Sequence, residues 1–108
     1  MLRIGAVVLN SDPAQTASFW SRALRCQPGA NPDLLVPASA PGPHLHLDST
    51  DNTHLDLWTD SPEEQRAEVE RLVQLGAKRV ARDYPEDADF VVLADPAGTL
   101  FCVIDSSR

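Results

Sequence analysis

His54-Leu55-Asp56-Leu57-Trp58, followed by Ser61-Pro62-Glu63-Glu64, Leu75-Gly76-Ala77 and Phe90-Val91-Val92-Leu93-Ala94-Asp95-Pro96-Ala97-Gly98-Thr99-Leu100-Phe101-Cys102-Val103-Ile104, is the stretch that decides the fold. The first piece alternates polar and apolar residues, as a strand with two unlike faces does. Ser61-Pro62-Glu63-Glu64 has the form of a capping box. Serine accepts from an orphan amide, proline suits the first helical position, and the glutamates favour the positive end of the helix dipole. Val69, Leu72 and Val73 give this helix one apolar stripe, and Gly76 is placed to end it in a left-handed residue. Lys78 to Arg82 reads as a short strand. Phe90–Ala94 and Thr99–Asp105 then read as a hairpin around Asp95-Pro96-Ala97-Gly98, where proline and glycine suit a type I turn followed by a left-handed residue.

The first half carries the same punctuation in a fainter form. Met1 to Leu9 is a strand rich in isoleucine, valine and leucine. Asp12-Pro13 starts a helix, with Gln15 where a capping-box partner belongs. Ala17, Trp20 and Leu24 make its apolar stripe, Phe19 and Ala23 lie at the stripe's edge, and Trp20 is expected in the core. Cys26 to Gly42 is expected to be the least regular part, holding Leu34-Leu35-Val36 as a short strand. His44–Asp48 and Thr53–Thr59 are strands joined by Ser49-Thr50-Asp51-Asn52. A shift of 49 residues lays Ile4 on Thr53, Gly5 on His54, Asp12 on Ser61 and Pro13 on Pro62. Each half therefore reads strand, helix, three strands, although hardly a residue is shared.

With 108 residues the chain is expected to form one domain, with modules at about 1–50 and 51–108. A domain of this size buries somewhat over ~60% of its unfolded surface, enough for a modest core and an open cleft but not for a deep enclosed site. Sixteen acidic against nine basic residues give a net charge of −7, which repels phosphate backbones and anionic lipid. Nucleic acid and membrane are thus poor partners. Two thiols, Cys26 and Cys102, without secretory features or a long apolar segment, suit a reduced, cytoplasmic protein.

Taken in order, the strand His54–Leu57, the Leu-Gly-Ala after the second helix and the turn Asp95-Pro96-Ala97-Gly98 resemble the glyoxalase/bleomycin-resistance/dioxygenase, or vicinal oxygen chelate, superfamily. The likeness is greatest to its small glyoxalase-like domains. It covers nearly the whole chain and is clearest from residue 53 onward. It implies an α+β fold of two βαβββ modules, a curved mixed sheet with the helices on its convex face, and a small-molecule cleft on the other. In metal-dependent members the ligands come from the first and last strands of each module. That pattern falls here on Gly5, on one of His44, His46 or Asp48, on His54 and on Cys102. Gly5 offers no side chain. Cys102 puts a thiol where a glutamate is usual, which suits zinc or copper(I) rather than magnesium, manganese or iron. No resident metal or other cofactor is therefore favoured, and His46 and His54 are the ligands to test if a divalent metal is bound.

Alternation sorts the remaining polar residues. His44, His46 and Asp48 share one face of their strand, and His54, Asp56 and Trp58 share one face of the next. If Leu45, Leu47, Leu55 and Leu57 pack beneath the helices, the polar sets line the cleft together. Val7, Phe90, Val92 and Leu100 would complete its wall, although alternation alone does not say which face Phe90 and Val92 take. With Cys102, these seven polar and aromatic residues are the candidate ligand-binding set. Three readings of the cluster stand side by side: a metal site, a histidine–carboxylate proton relay, and a merely solvated face. No serine lies in a nucleophile-elbow context, the five glycines form no phosphate loop, and Cys102 reads first as a buried strand thiol. Trp58 packs against a ligand, the core or a second subunit. The expected function is binding or sequestration of a small organic molecule by a homodimer, without need of metal; the alternative is a metal-dependent lyase, isomerase or dioxygenase.

Overall fold

A computed structural model describes residues 1–28, 33–37 and 42–108, so part of the stretch expected to be irregular lies outside the described residues. The elements are β1 (Arg3–Leu9), α1 (Pro13–Ala23), β2 (Cys26–Pro28), β3 (Leu34–Pro37), β4 (His44–Leu47), β5 (His54–Thr59), α2 (Pro62–Gln74), β6 (Lys78–Arg79), β7 (Phe90–Ala94) and β8 (Leu100–Asp105). This is the α+β class with two βαβββ modules. The chain divides into one compact unit of Gly5–Leu55 and another of Met1–Ile4 with Asp56–Arg108, and β5 passes from the first to the second.

In the first unit the strand order is β2-β3-β4-β1. β1 and β4 are parallel, with Ala6 opposite His44, Val7 opposite Leu45, Val8 opposite His46 and Leu9 opposite Leu47. β3 runs antiparallel to β4, with Leu34 opposite His46 and Leu35 opposite Leu45. Opposed residues share a sheet face. Val7 therefore lies with Leu45 and Leu47, not beside His44 and His46 as a shared cleft wall required; the parallel register sets the histidines with Ala6 and Val8. Both faces are packed, since Ala6, Val8, Leu35 and Leu47 are all buried.

Asp12 caps α1 by accepting from the amide of Ala14, and Pro13 follows at the first helical position. The helix has no fully buried residue, contrary to the expected core stripe. Phe19 is 63% exposed and Leu24 52%, while Trp20 is only half-buried and meets Phe19 edge-on at 5.1 Å. Without a glycine at its end, α1 stops on Arg25, which takes a left-handed φ of 54°.

The second unit has the order β5-β8-β7-β6 and the stronger core. Ser61 accepts from the amide of Glu64, whose own carboxylate reaches back to the amide of Asp60. At the other end Gly76, with φ 119°, lets the Gly76 amide donate to Val73 and the Ala77 amide to Leu72, the paired bonds that close a helix in a Schellman motif. The stripe of α2 then meets the sheet: Val69 packs with Ala77, Leu93 and Val103, and Leu72, Val73, Val91 and Phe101 surround them. β7 and β8 pair antiparallel about the turn expected between them. There the Gly98 amide donates to the carbonyl of Asp95, and the Asp95 carboxylate accepts from the amides of Ala97 and Thr99.

Candidate active site and its relatives

Register sorts the side chains of the second unit between the core under α2 and the opposite face of the sheet. Val91, Leu93, Phe101 and Val103 belong to the cluster under α2. Alternation sends Phe90, Val92, Leu100, Cys102 and Ile104 to the opposite face, where Phe90 is opposite Ile104 and Val92 opposite Cys102. β5 lies beside β8. Asp56 brings a carboxylate oxygen within 4.8 Å of the Cys102 sulfur. Three residues on, the Thr59 hydroxyl donates to the carbonyl of Ile104, and the Ser106 amide donates to the carbonyl of Thr59. The two strands thus advance together, and Trp58 is level with Ile104. Two rows result: Trp58, Ile104 and Phe90, and next to it Asp56, Cys102 and Val92.

His54 precedes Asp56 by two positions in the same strand, projects from the same face, and is the third donor residue of this group. Its Nδ1 lies 2.7 Å from the carbonyl oxygen of Asn52. A carbonyl can only accept, so in this bond Nδ1 is the donor. His54, Asp56 and Cys102 are all half-buried. An imidazole, a carboxylate and a thiol suit a zinc-class ion and are a poor set for magnesium or calcium, which take oxygen ligands. His46 does not belong to this group; on β4 it stands opposite Val8 and Leu34.

Asp48 has a structural task. Its carboxylate accepts from both the hydroxyl and the amide of Thr50, at 2.6 and 2.8 Å, and so ties the turn that follows β4. The Thr50 bonds, with a smaller contribution from His46 and His54, hold its pKa below the usual carboxylate range. The stability it contributes is therefore fully present above the unfolded-state value of about 4 and is lost as pH falls through the lower folded-state value. Asp48→Asn is expected to melt below the parent at neutral pH, with the gap closing below about pH 4; thermal melts of both proteins across that range check it.

Reading the sequence for imidazoles and carboxylates missed two arginines. Arg3 pairs with Asp60 at 3.0 Å, which lowers the Asp60 pKa, and places its guanidinium 5.9 Å from the centre of the Trp58 ring. Arg82 lies over both Tyr84 and Phe90, at 5.8 and 5.6 Å. Neither had a signal in the sequence: Arg3 sits in a strand end, and Arg82 in a polar connection after β6.

Against known families, residues 6–104 match the model of a glyoxalase-like domain. The chain belongs to the glyoxalase-like domain family. The sequence resemblance to that superfamily thereby holds, and with it the fold class. A similar solved structure is described as a glyoxalase-related enzyme from Fulvimarina pelagi, 18% identical, covering 95% of this chain and 87% of that one with a TM-score of 0.44. No curated protein matches. No described helix of this glyoxalase-like domain is long and apolar enough to cross a membrane.

Proposed function

We propose that this glyoxalase-like domain binds a small, partly aromatic organic molecule on the face formed by β5, β8 and β7, and that binding needs no metal. The observation that carries this reading is the pair of rows: an aromatic and apolar floor of Trp58, Ile104 and Phe90 directly beside the polar atoms of Asp56 and Cys102. A mostly apolar wall with a few convergent polar groups is how small-molecule sites are built. In a Trp20→Phe background, Trp58 reports alone. The dye anilinonaphthalene sulfonate should change Trp58 emission saturably, before and after treatment with a chelator, and Trp58→Ala should weaken its binding by about 1–3 kcal/mol. Equal affinity of Trp58→Ala and the parent would sink the reading.

A second reading rests on the donor group. His54, Asp56 and Cys102 would hold a zinc-class ion, which would act as a Lewis acid beside the aromatic floor. Loss of dye binding on chelation, with recovery on adding zinc, would favour it over the metal-free one.

A further inference from the structure

The border of the sheet beside α2 is short. Lys78 and Arg79 of β6 pair with Ala94 and Leu93, and the Val80 amide donates to the carbonyl of Val92. The Val92 amide then turns to a side chain, donating to the hydroxyl oxygen of Tyr84 at 2.9 Å. Between this border and the helix lies a hollow of about 310 Å³, lined by Gln65, Arg66, Val69 and Glu70 of α2, Arg79 of β6 and Val91 of β7. Its volume is at the lower end of the ~300–1,000 Å³ range of small-molecule pockets. Val69 and Val91 belong to the cluster under α2, so the hollow is on the side of the sheet away from Phe90, Val92 and Cys102.

Three charged residues line it, and their pairing decides its sign. Arg66 stands four positions before Glu70, and base before acid is the weaker order for an ion pair along a helix. Glu70 turns to the sheet instead, where Nη2 of Arg79 donates to its Oε1 at 2.7 Å. Glu68 is likewise taken, by Arg71 at 2.6 Å. The arginine ion pairs among the described residues are those of Arg3, Arg71 and Arg79, so Arg66 has no carboxylate of its own there. Two guanidinium groups against one carboxylate leave this lining one positive charge, in a chain that carries −7 overall. A guanidinium presents paired N–H donors that match the two oxygens of a carboxylate. Beside it, Val69 and Val91 offer only hydrocarbon. A multiply charged anion meets Glu70 and the negative field of the chain, whereas a single carboxylate on an alkyl body meets both the guanidinium and the valines.

We infer that this hollow binds a short branched aliphatic carboxylate, with Arg66 on its two oxygens and Val69 and Val91 against its alkyl body. The site is separate from the face of β5, β8 and β7 and does not depend on what that face binds. The probes are isovalerate, isovaleramide and isopentylamine at matched ionic strength, followed through the backbone amide resonances of Val69, Glu70 and Arg79. Isovalerate binds at least about fivefold more tightly than isovaleramide, and isopentylamine binds weakest. Arg66→Gln, its fold confirmed by a thermal melt, removes that preference. Arg66→Lys keeps only part of it, because an ammonium lacks the two-pronged geometry. Glu70→Gln acts in the opposite direction: it releases Arg79 and removes the one acid of the lining, so isovalerate binds about twofold more tightly. Equal binding of isovalerate and isovaleramide, an unchanged ratio in Arg66→Gln, or no response at Val69 and Arg79 overturns the inference. Competition between isovalerate and the dye read at Trp58 overturns it too, because the carboxylate would then lie on the other face of the sheet.

Discussion

Leu93→Asp is expected to leave the protein unfolded at 25 °C. Leu93 is completely buried, between Val69 of α2 and Val103 of β8. A carboxylate there would have no partner, and an unpaired buried charge costs several kcal/mol against a total stability of about 5–15 kcal/mol. Leu93→Ala measures the packing alone. It should cost about 2–5 kcal/mol, the range for truncating a buried leucine, and lower Tm by roughly 10–25 °C in a chain of this size. Leu75 supplies the contrast: it is 68% exposed, and Leu75→Gln should melt within a few degrees of the parent. Circular dichroism melts of the three variants decide the matter. A folded Leu93→Asp protein would mean that the face assigned to the core, and with it the opposite face assigned to the ligand, had been exchanged.

The second large effect concerns Cys102. Cobalt(II) added one-to-one to metal-free protein should give a thiolate charge-transfer band, because the sulfur lies within 4.8 Å of the Asp56 carboxylate and both are on the side-chain face of His54. Cys102→Ser should abolish the band and weaken zinc binding by roughly two orders of magnitude, about 2.8 kcal/mol. Magnesium should protect neither protein against heat, since the group lacks the oxygen cage that ion needs. A cobalt spectrum that is the same with serine at position 102 would remove the thiol from the donor set. That outcome would leave the dye experiment at Trp58 unaffected, so the metal and organic-ligand readings are tested separately.

Much of the fold was legible because its ends are written in local chemistry. Ser61-Pro62, Gly76 and Asp95-Pro96-Ala97-Gly98 each impose a backbone geometry, and the structure places a helix start, a helix stop and a turn there. The bounds of β7 follow from its apolar run, and the family likeness fixed how the pieces are ordered. Burial was less legible. α1 has the spacing of a core helix yet buries nothing fully, and Leu55, expected beneath a helix, is 40% exposed. Periodicity states which residues share a side; it does not state whether anything covers that side. The candidate site shows the same division. Alternation brought His54, Asp56 and Trp58 to one face, but grouping Asp56 with Cys102 depends on how β5 and β8 are aligned, which no local signal encodes. Phe90 and Val92 could be assigned only once Leu93 and Val103 were seen in the core. Arg3 and Arg82 escaped notice because a cation stacked on a ring leaves no spacing rule behind.

The hydroxyl of Tyr84 has a further effect on how the protein behaves in a crowded solution. An uncovered strand margin offers its amides and carbonyls to any other extended chain, and self-association begins there. β6 shields β7 for only two residues, and past that point it is a side chain, not a backbone, that engages the Val92 amide. A tyrosine can serve in this way because it is long enough to reach the margin and still anchor its ring on Phe90. Tyr84→Phe, which takes the acceptor from the Val92 amide at this border, is expected to raise association between molecules, read by light scattering.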